Sequence, residues 1–276
     1  HTHRGMQHEA VALRIEIGAP AYDVDFSVQP MGRNSFGSNM LIASSWHHRE
    51  EMPRIGRTNA QRRWGVQPQD PALAYDIAHN RLIVSAAALQ APVLDMEQDT
   101  AAQYGSFGAL VAHELGRAVD IKGRLVDASG GIRTWWTAAD EAAYGALADR
   151  LALQYANYDY PAADGLKVNA TLTREGNMAD LAAVELAFDA LEAAQPGADN
   201  AAHESFFRAW AALWREQLSA ESATEAAATS VHAPGQWRAN GPLVNLPAFA
   251  KAFKCKAGNA MVRKPEEQVS IWRQAH

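Results

Sequence analysis

The residues best placed to do chemistry lie in one short run, Val111-Ala112-His113-Glu114-Leu115-Gly116-Arg117-Ala118-Val119-Asp120. On a helix, the pattern H-E-x-x-H sets two imidazoles on one face a turn apart. Both then reach a single Zn²⁺, while the glutamate acts as general base on the metal-bound water. The first two residues of that pattern stand here, but the fifth is Arg117. A guanidinium is a fixed cation with no lone pair to give a metal. No pair among the ten histidines has i, i+4 spacing, and the adjacent His47-His48 lies in a different segment. Cys255, the one cysteine, excludes an internal disulfide framework and a thiolate zinc cage.

An ordered series of short motifs surrounds the His-Glu pair. It comprises Ile17-Gly18-Ala19-Pro20, the run from Asn80 to Pro92, Gly123-Arg124, Trp135-Trp136, Asn177-Met178-Ala179-Asp180, Val231-His232-Ala233-Pro234-Gly235 with Arg238 and Gly241, Phe253-Lys254-Cys255, and Trp272. In this order they resemble the C-terminal, catalytic half of the neprilysin family of zinc metallopeptidases (neprilysin, endothelin-converting enzyme, bacterial oligopeptidase O). The family patterns they resemble are I-G-Y-P, N-x-I-V-F-P-A-x-x-L-Q-P-P, G-E-N-x-A-D and H-x-P-G-x-x-R-x-x-G. The resemblance implies a zincin-like, helix-dominated α+β fold with a small sheet, and peptide hydrolysis with zinc as cofactor. It places His113 at the first zinc ligand, Glu114 at the general base and His232 at the transition-state histidine. Asp120 and Asp180 fall at the partners of the zinc histidines, and Arg238 at the family arginine. The family counterpart of Cys255 pairs with a cysteine that this chain lacks.

The departures from the family pattern fall on the metal site. Arg117 stands at the second ligand and Gly176 at the third, a glutamate in the family. Glu175 is one residue off, which on a helix turns it about 100° away. Ala72 and Leu73 replace an Asn-Ala pair whose asparagine holds the substrate backbone. Ser230 replaces an aspartate that orients the transition-state histidine, and an unoriented imidazole is a poorer oxyanion donor. Without a metal, Glu114, Asp120 and Asp180 form a carboxylate cluster lacking its cation. Arg117 is expected to supply that charge by pairing with one of them, because unpaired buried charge is costly.

Shared ancestry does not fix chemistry. The expected function is therefore that of a catalytically inactive homologue, without cofactor, that binds a peptide or serves as a partner subunit. The alternative is a working zinc peptidase in which His113 is joined by oxygen ligands recruited from Glu175, Glu114 or Asp180. The family's helical lid domain is not expected within this chain, which leaves a groove beside Leu82-Ile83-Val84, with Ala72 and Leu73, open. An extended peptide could add there as a strand, or a second copy or an active paralogue could cover it. The resemblance suggests a periplasmic or extracellular location.

These residues need a scaffold, and the composition allows one. The 276 residues are 48% hydrophobic and 20% charged, enough for one sizeable core. The net charge of −6 argues against nucleic acid or an anionic membrane as the main partner, and no apolar run reaches a membrane span. His1 to Gly5 reads as an expression remnant, with a single domain over 6–276. Residues 6–60 are weakly patterned. Strands are expected at Arg81–Val84 and Leu166–Thr173. Helices are expected over Tyr104–Asp120, from Thr137 to Pro161, over Asn177–Ala194 and His203–Leu218, and around Phe249. Ala220–Ala228 is read as a helix or mobile loop, and a further loop region is expected around Pro234–Pro242. Trp135, Trp136, Phe206, Phe207, Trp210 and Trp214 read as core, His79 and His203 as surface.

Overall fold

Arg81–Ser85 is apolar and β-branched at its middle three positions, and it becomes β3, buried at every residue. The computed structural model describes residues 2–21, 29–56 and 64–272. In it β3 is the central strand of a three-stranded sheet. β1 (Arg14–Gly18) runs parallel to β3, pairing Ile15 with Leu82, and β2 (Leu73–Asp76) runs antiparallel, pairing Leu73 with Val84. The register is pinned by Arg81, a buried residue whose guanidinium bridges Glu16 on β1 and Asp76 on β2, both at 3.0 Å. Both edges of β3 are thus occupied. Leu82, Ile83 and Val84 cannot line an open groove, as the sequence suggested; among the described residues the free edge nearest the His-Glu pair belongs to β2.

The sequence reading missed α1 (Thr2–Ala12), which includes residues 2–5, and α2 (Phe36–Glu51); His1 lies outside the described residues. α1 and α2 escaped because neither carries a clear apolar stripe, and α2 buries no residue at all. Farther on the helical period is stronger. The stretch holding the His-Glu pair is α3 (Thr100–Gln103), a π-helical turn at Tyr104–Gly108, and α4 (Ala109–Gly116). α5 spans Ala138–Tyr155 and opens with a full capping box between Thr137 and Asp140. α6 spans Arg174–Ala194, starting a turn earlier than expected. α7 (Asn200–Leu213) starts three residues before the expected His203–Leu218 and stops five short of its end, Ala220–Ala228 takes its helical alternative as α8 (Ala220–Thr229), and α10 (Pro247–Ala252) forms around Phe249 as expected.

Two segments differ from expectation. Leu166–Thr173 forms no strand beyond one bridge from Lys167 to Asp159. Its backbone folds back on the turn that follows α5 instead, Val168 N–H donating to Tyr158 O and the Asn169 side chain closing a turn to Leu172 N. Alternation without a neighbouring strand to pair with does not make a sheet. The region around Pro234–Pro242 is helical, α9 (Gly235–Leu243), with Pro242 in its last turn.

The main core lies among α4–α7, α9 and α10, where Leu151, Tyr155, Met178, Leu181, Phe206, Phe207 and Trp210 are almost fully buried. Trp135, Trp136 and Trp214 are only partly buried. A second cluster joins Leu82, Val84 and Ala88 to Phe107, Val111 and Leu115, so the sheet rests on the face of α4 next to the His-Glu pair. The π turn passes tightly against α7: a Cβ at Gly105 would lie 2.1 Å from Phe206 O. His79 and His203 are not simple surface residues. His79 Nδ1 lies 3.2 Å from Asp76, and His203 Nε2 lies 2.6 Å from Glu192 with its ring edge-on to Phe188. Among the described residues no helix is long and apolar enough to cross a membrane.

Trp210 is fully buried and its indole N–H donates to Ala239 O. Trp210→Ala is expected to cost about 3–5 kcal/mol, read by urea denaturation. The same change at Ile132, 93% exposed, should stay within about 0.5 kcal/mol.

Candidate functional site

α4 and α6 pack side by side, and α9 lies across α6. This brings together three parts of the sequence separated by more than fifty residues each, at His113, Asp180 and Arg238. Asp180, 1% exposed on α6, is the hub. Arg238 from α9 grips it with two 2.8 Å hydrogen bonds, Nε to Oδ2 and Nη2 to Oδ1. His113 from α4 sets Nδ1 3.1 Å from Oδ1, an electrostatic contact rather than an aligned hydrogen bond. The Arg238 guanidinium lies 3.6 Å above the ring of Trp214, a cation–π seat that holds the fork in plane. Burial alone would push the Asp180 carboxyl up. The Arg238 hydrogen bonds and charge, aided by His113, outweigh it and hold the group below the ordinary carboxylate value.

Glu114 follows His113 on α4 and so points about 100° round the helix from it. One of its oxygens, Oε2, accepts the backbone N–H of Tyr75 on β2 at 3.0 Å and meets Arg117 Nε at 3.1 Å. Of the three carboxylates named for Arg117, Glu114 is thus the one it pairs with. Asp180 is taken by Arg238 and His113, and Asp120 turns toward the following loop, its Oδ1 accepting Lys122 N–H at 2.7 Å and Gly123 N–H at 2.8 Å. Glu175 points to α5, accepting the Tyr144 hydroxyl at 3.3 Å. Asp120, Glu175 and Tyr144 border a separate cavity of about 210 Å³ with Trp136 and Trp272.

Gly176 opens the space that His232 fills. A Cβ at Gly176 would fall 2.9 Å from His232 Nδ1 and 3.0 Å from Val231 O, so the histidine loop sits against the bare helix backbone. Ser230 does not orient the imidazole. Its hydroxyl donates to His232 O and accepts His232 N–H, both backbone groups, and His232 Nδ1 is buried with no hydrogen-bond partner. The imidazole is held below its ordinary pKa, first by burial and then by the positive charges of Arg238, His113 and Arg117, against the pull of Asp180. Among the described residues no group of three or more His, Cys, Asp and Glu side chains converges on one point suited to a metal.

The structure therefore joins His113, Asp180, Arg238 and His232 in one cluster, with Glu114 and Arg117 at its rim, and leaves Asp120 and Glu175 on another side. Sequence reasoning missed Tyr75 and Trp214 as parts of this arrangement. Tyr75 lies just past Ala72-Leu73 and acts through its backbone, which no side-chain motif reports. Trp214 belongs to an aromatic stripe at helical spacing, indistinguishable from core until Arg238 is placed over it.

Removing the partner of a buried charge costs more than the pair contributes, so Arg238→Gln is expected to lose about 3 kcal/mol or more at pH 7. A carboxyl with a depressed folded pKa gives stability that is present above its unfolded value and lost as pH falls through the folded one. The deficit should therefore shrink as pH falls from about 5 to about 2. Denaturation curves of both proteins across that range check it; a deficit that is constant with pH contradicts the hub.

A profile of peptidase family M13 matches residues 74–269, which include β3, the His-Glu pair, Asp180, His232 and Arg238. The chain is 26% identical to an endothelin-converting enzyme homolog of Locusta migratoria over 98% of its own length and 39% of the relative's. It is 33% identical to the neutral endopeptidase of Lactococcus lactis over 72% of the chain and 30% of that enzyme. The crystal structure of PepO from Lactobacillus rhamnosis superposes with a TM-score of 0.87 at 28% identity, covering 99% of this chain and 43% of that one. The inhibitor complex of the Mycobacterium tuberculosis zinc metalloprotease Zmp1 gives the same TM-score at 27% identity. The chain thus spans about two fifths or less of the length of these relatives. By profile, sequence and fold together, it belongs to peptidase family M13.

Proposed function

We propose that this chain is an M13 fold that no longer hydrolyses peptides through zinc and instead binds a peptide or a partner protein. The carrying observation is the Arg117–Glu114 pair at 3.1 Å. The carboxylate that would activate a metal-bound water is held instead by a permanent cation and by the Tyr75 N–H. The donor set agrees with this reading. A catalytic zinc takes three protein ligands and keeps one open position, whereas the three positions here carry an imidazole, a guanidinium and a bare glycine. The residues present do not fit the ion. Its repulsion from Arg117 and the seating of His232 against Gly176 both work against recruiting substitutes. The relatives are named as endopeptidases and as a zinc metalloprotease, so the reading separates this chain from proteins it otherwise resembles closely.

What the fold keeps is a binding surface. β2 is an edge strand beside the cluster, and edge strands accept an extended chain by backbone hydrogen bonding. A peptide, a second copy or an active paralogue would use the same edge.

Protein purified without chelator is expected to carry well under roughly a tenth of an equivalent of zinc by mass spectrometry, and to show no chelator-sensitive peptide cleavage. Arg117→His with Gly176→Glu should raise zinc to about one equivalent, provided His232 swings away from the new side chain. About one equivalent in the unaltered protein, with cleavage that a chelator stops, sinks the proposal.

A further inference from the structure

We infer that the Arg117 end of β2 is a receptor for the terminal carboxylate of an extended peptide. This rests on the reading of a fold without zinc chemistry given above and names the class of ligand it takes. The argument begins with the strand register. Ser85 N–H donates to Ala72 O, and β2 pairs antiparallel with β3. In such a ladder alternate residues turn their backbone groups to the partner strand and the others turn them away. Ala72, Ala74 and Asp76 therefore face β3, while Leu73 and Tyr75 present their N–H and C=O groups to the open edge.

Tyr75 N–H is already closed by Glu114 Oε2, at 3.0 Å. An added chain consequently finds backbone partners at Leu73 and meets side-chain chemistry at Tyr75. That chemistry is cationic. Glu114 Oε2 also touches Arg117 Nε, so the guanidinium stands within two hydrogen-bond lengths of the strand edge. Arg117 is 42% exposed and, among the described residues, Glu114 is its one ionic partner. A guanidinium has five N–H donors in a planar fork, more than a single carboxylate oxygen engages. The remaining donors match a second carboxylate, the group that this fork binds in two-point fashion. The neighbouring charges favour the same ligand. Asp180 is neutralised by Arg238, Asp76 is paired with Arg81, and Asp120 Oδ1 is occupied by backbone N–H groups. A peptide ending at Arg117 gains the ion pair; a chain running past it gains only the backbone contacts.

Isothermal titration of the full chain in chelator-containing buffer, with N-acetyl-Leu-Ala-Leu and with its C-terminal amide, tests the inference. The acid is expected to bind about tenfold tighter or better, and Arg117→Gln to bring the acid down to the affinity of the amide. Equal binding of the two probes, binding of neither, or a preference that survives Arg117→Gln overturns it. Should Arg117→Gln fail to fold, Arg117→Lys keeps a cation beside Glu114 and is read instead: a weakened preference sustains the inference and an undiminished one overturns it. The chelator keeps metal out of the comparison, so its outcome is separate from the zinc and cleavage measurements that decide the inactive reading.

Discussion

The ion pair between Asp180 and Arg238 is the constraint on which the rest of the site depends. A carboxylate 1% exposed on α6 is tolerable only if its charge is met within hydrogen-bond distance, and two 2.8 Å bonds from α9 do so. Because α9 carries Arg238 and the preceding loop carries His232, satisfying that one charge fixes where His232 can lie. The contact to His113 ties α4 into the same arrangement. Trp214, at the end of α7, completes the support beneath the guanidinium. Four segments meet because one buried acid has to be neutralised.

That arrangement holds together without help from positions 117 and 176. Asp180, Arg238 and His113 support one another without drawing on position 117 or 176. A cation at Arg117 is absorbed locally by Glu114, three residues earlier on the same helical stretch. The missing side chain at Gly176 is absorbed by the His232 loop closing against the helix. Neither change reaches the main core of Leu151, Phe206, Phe207 and Trp210. The core that holds the fold is carried by residues other than those at positions 117 and 176.

The structure also moves attention from one strand to another. Leu82, Ile83 and Val84 look like a groove because they are the most strand-like residues in the chain, but that quality marks the buried centre of a sheet. The edge that faces the site is β2, a four-residue strand with unremarkable composition. Its importance comes from position, Tyr75 N–H being within reach of Glu114.

The chain's order of residues by itself was enough to read the helix-dominated α+β class, the capping of α5 at Thr137 and the family. The class and the cap follow from local periodicity and short-range capping, and the family from the ordered motifs the chain shares with it; none of these needs a neighbour distant in sequence. It was not enough to place β1 beside β3, to deny a strand at Leu166–Thr173, or to make a helix of Gly235–Leu243, because pairing partners and packing surfaces are supplied by other segments. Nor could it choose among Glu114, Asp120 and Asp180 as the partner of Arg117. Only the packing of α4, α6 and α9 decided that, since it commits Asp180 to Arg238 and His113, and the turn after α4 commits Asp120 to backbone N–H groups. Glu114 is what remains within the guanidinium's reach.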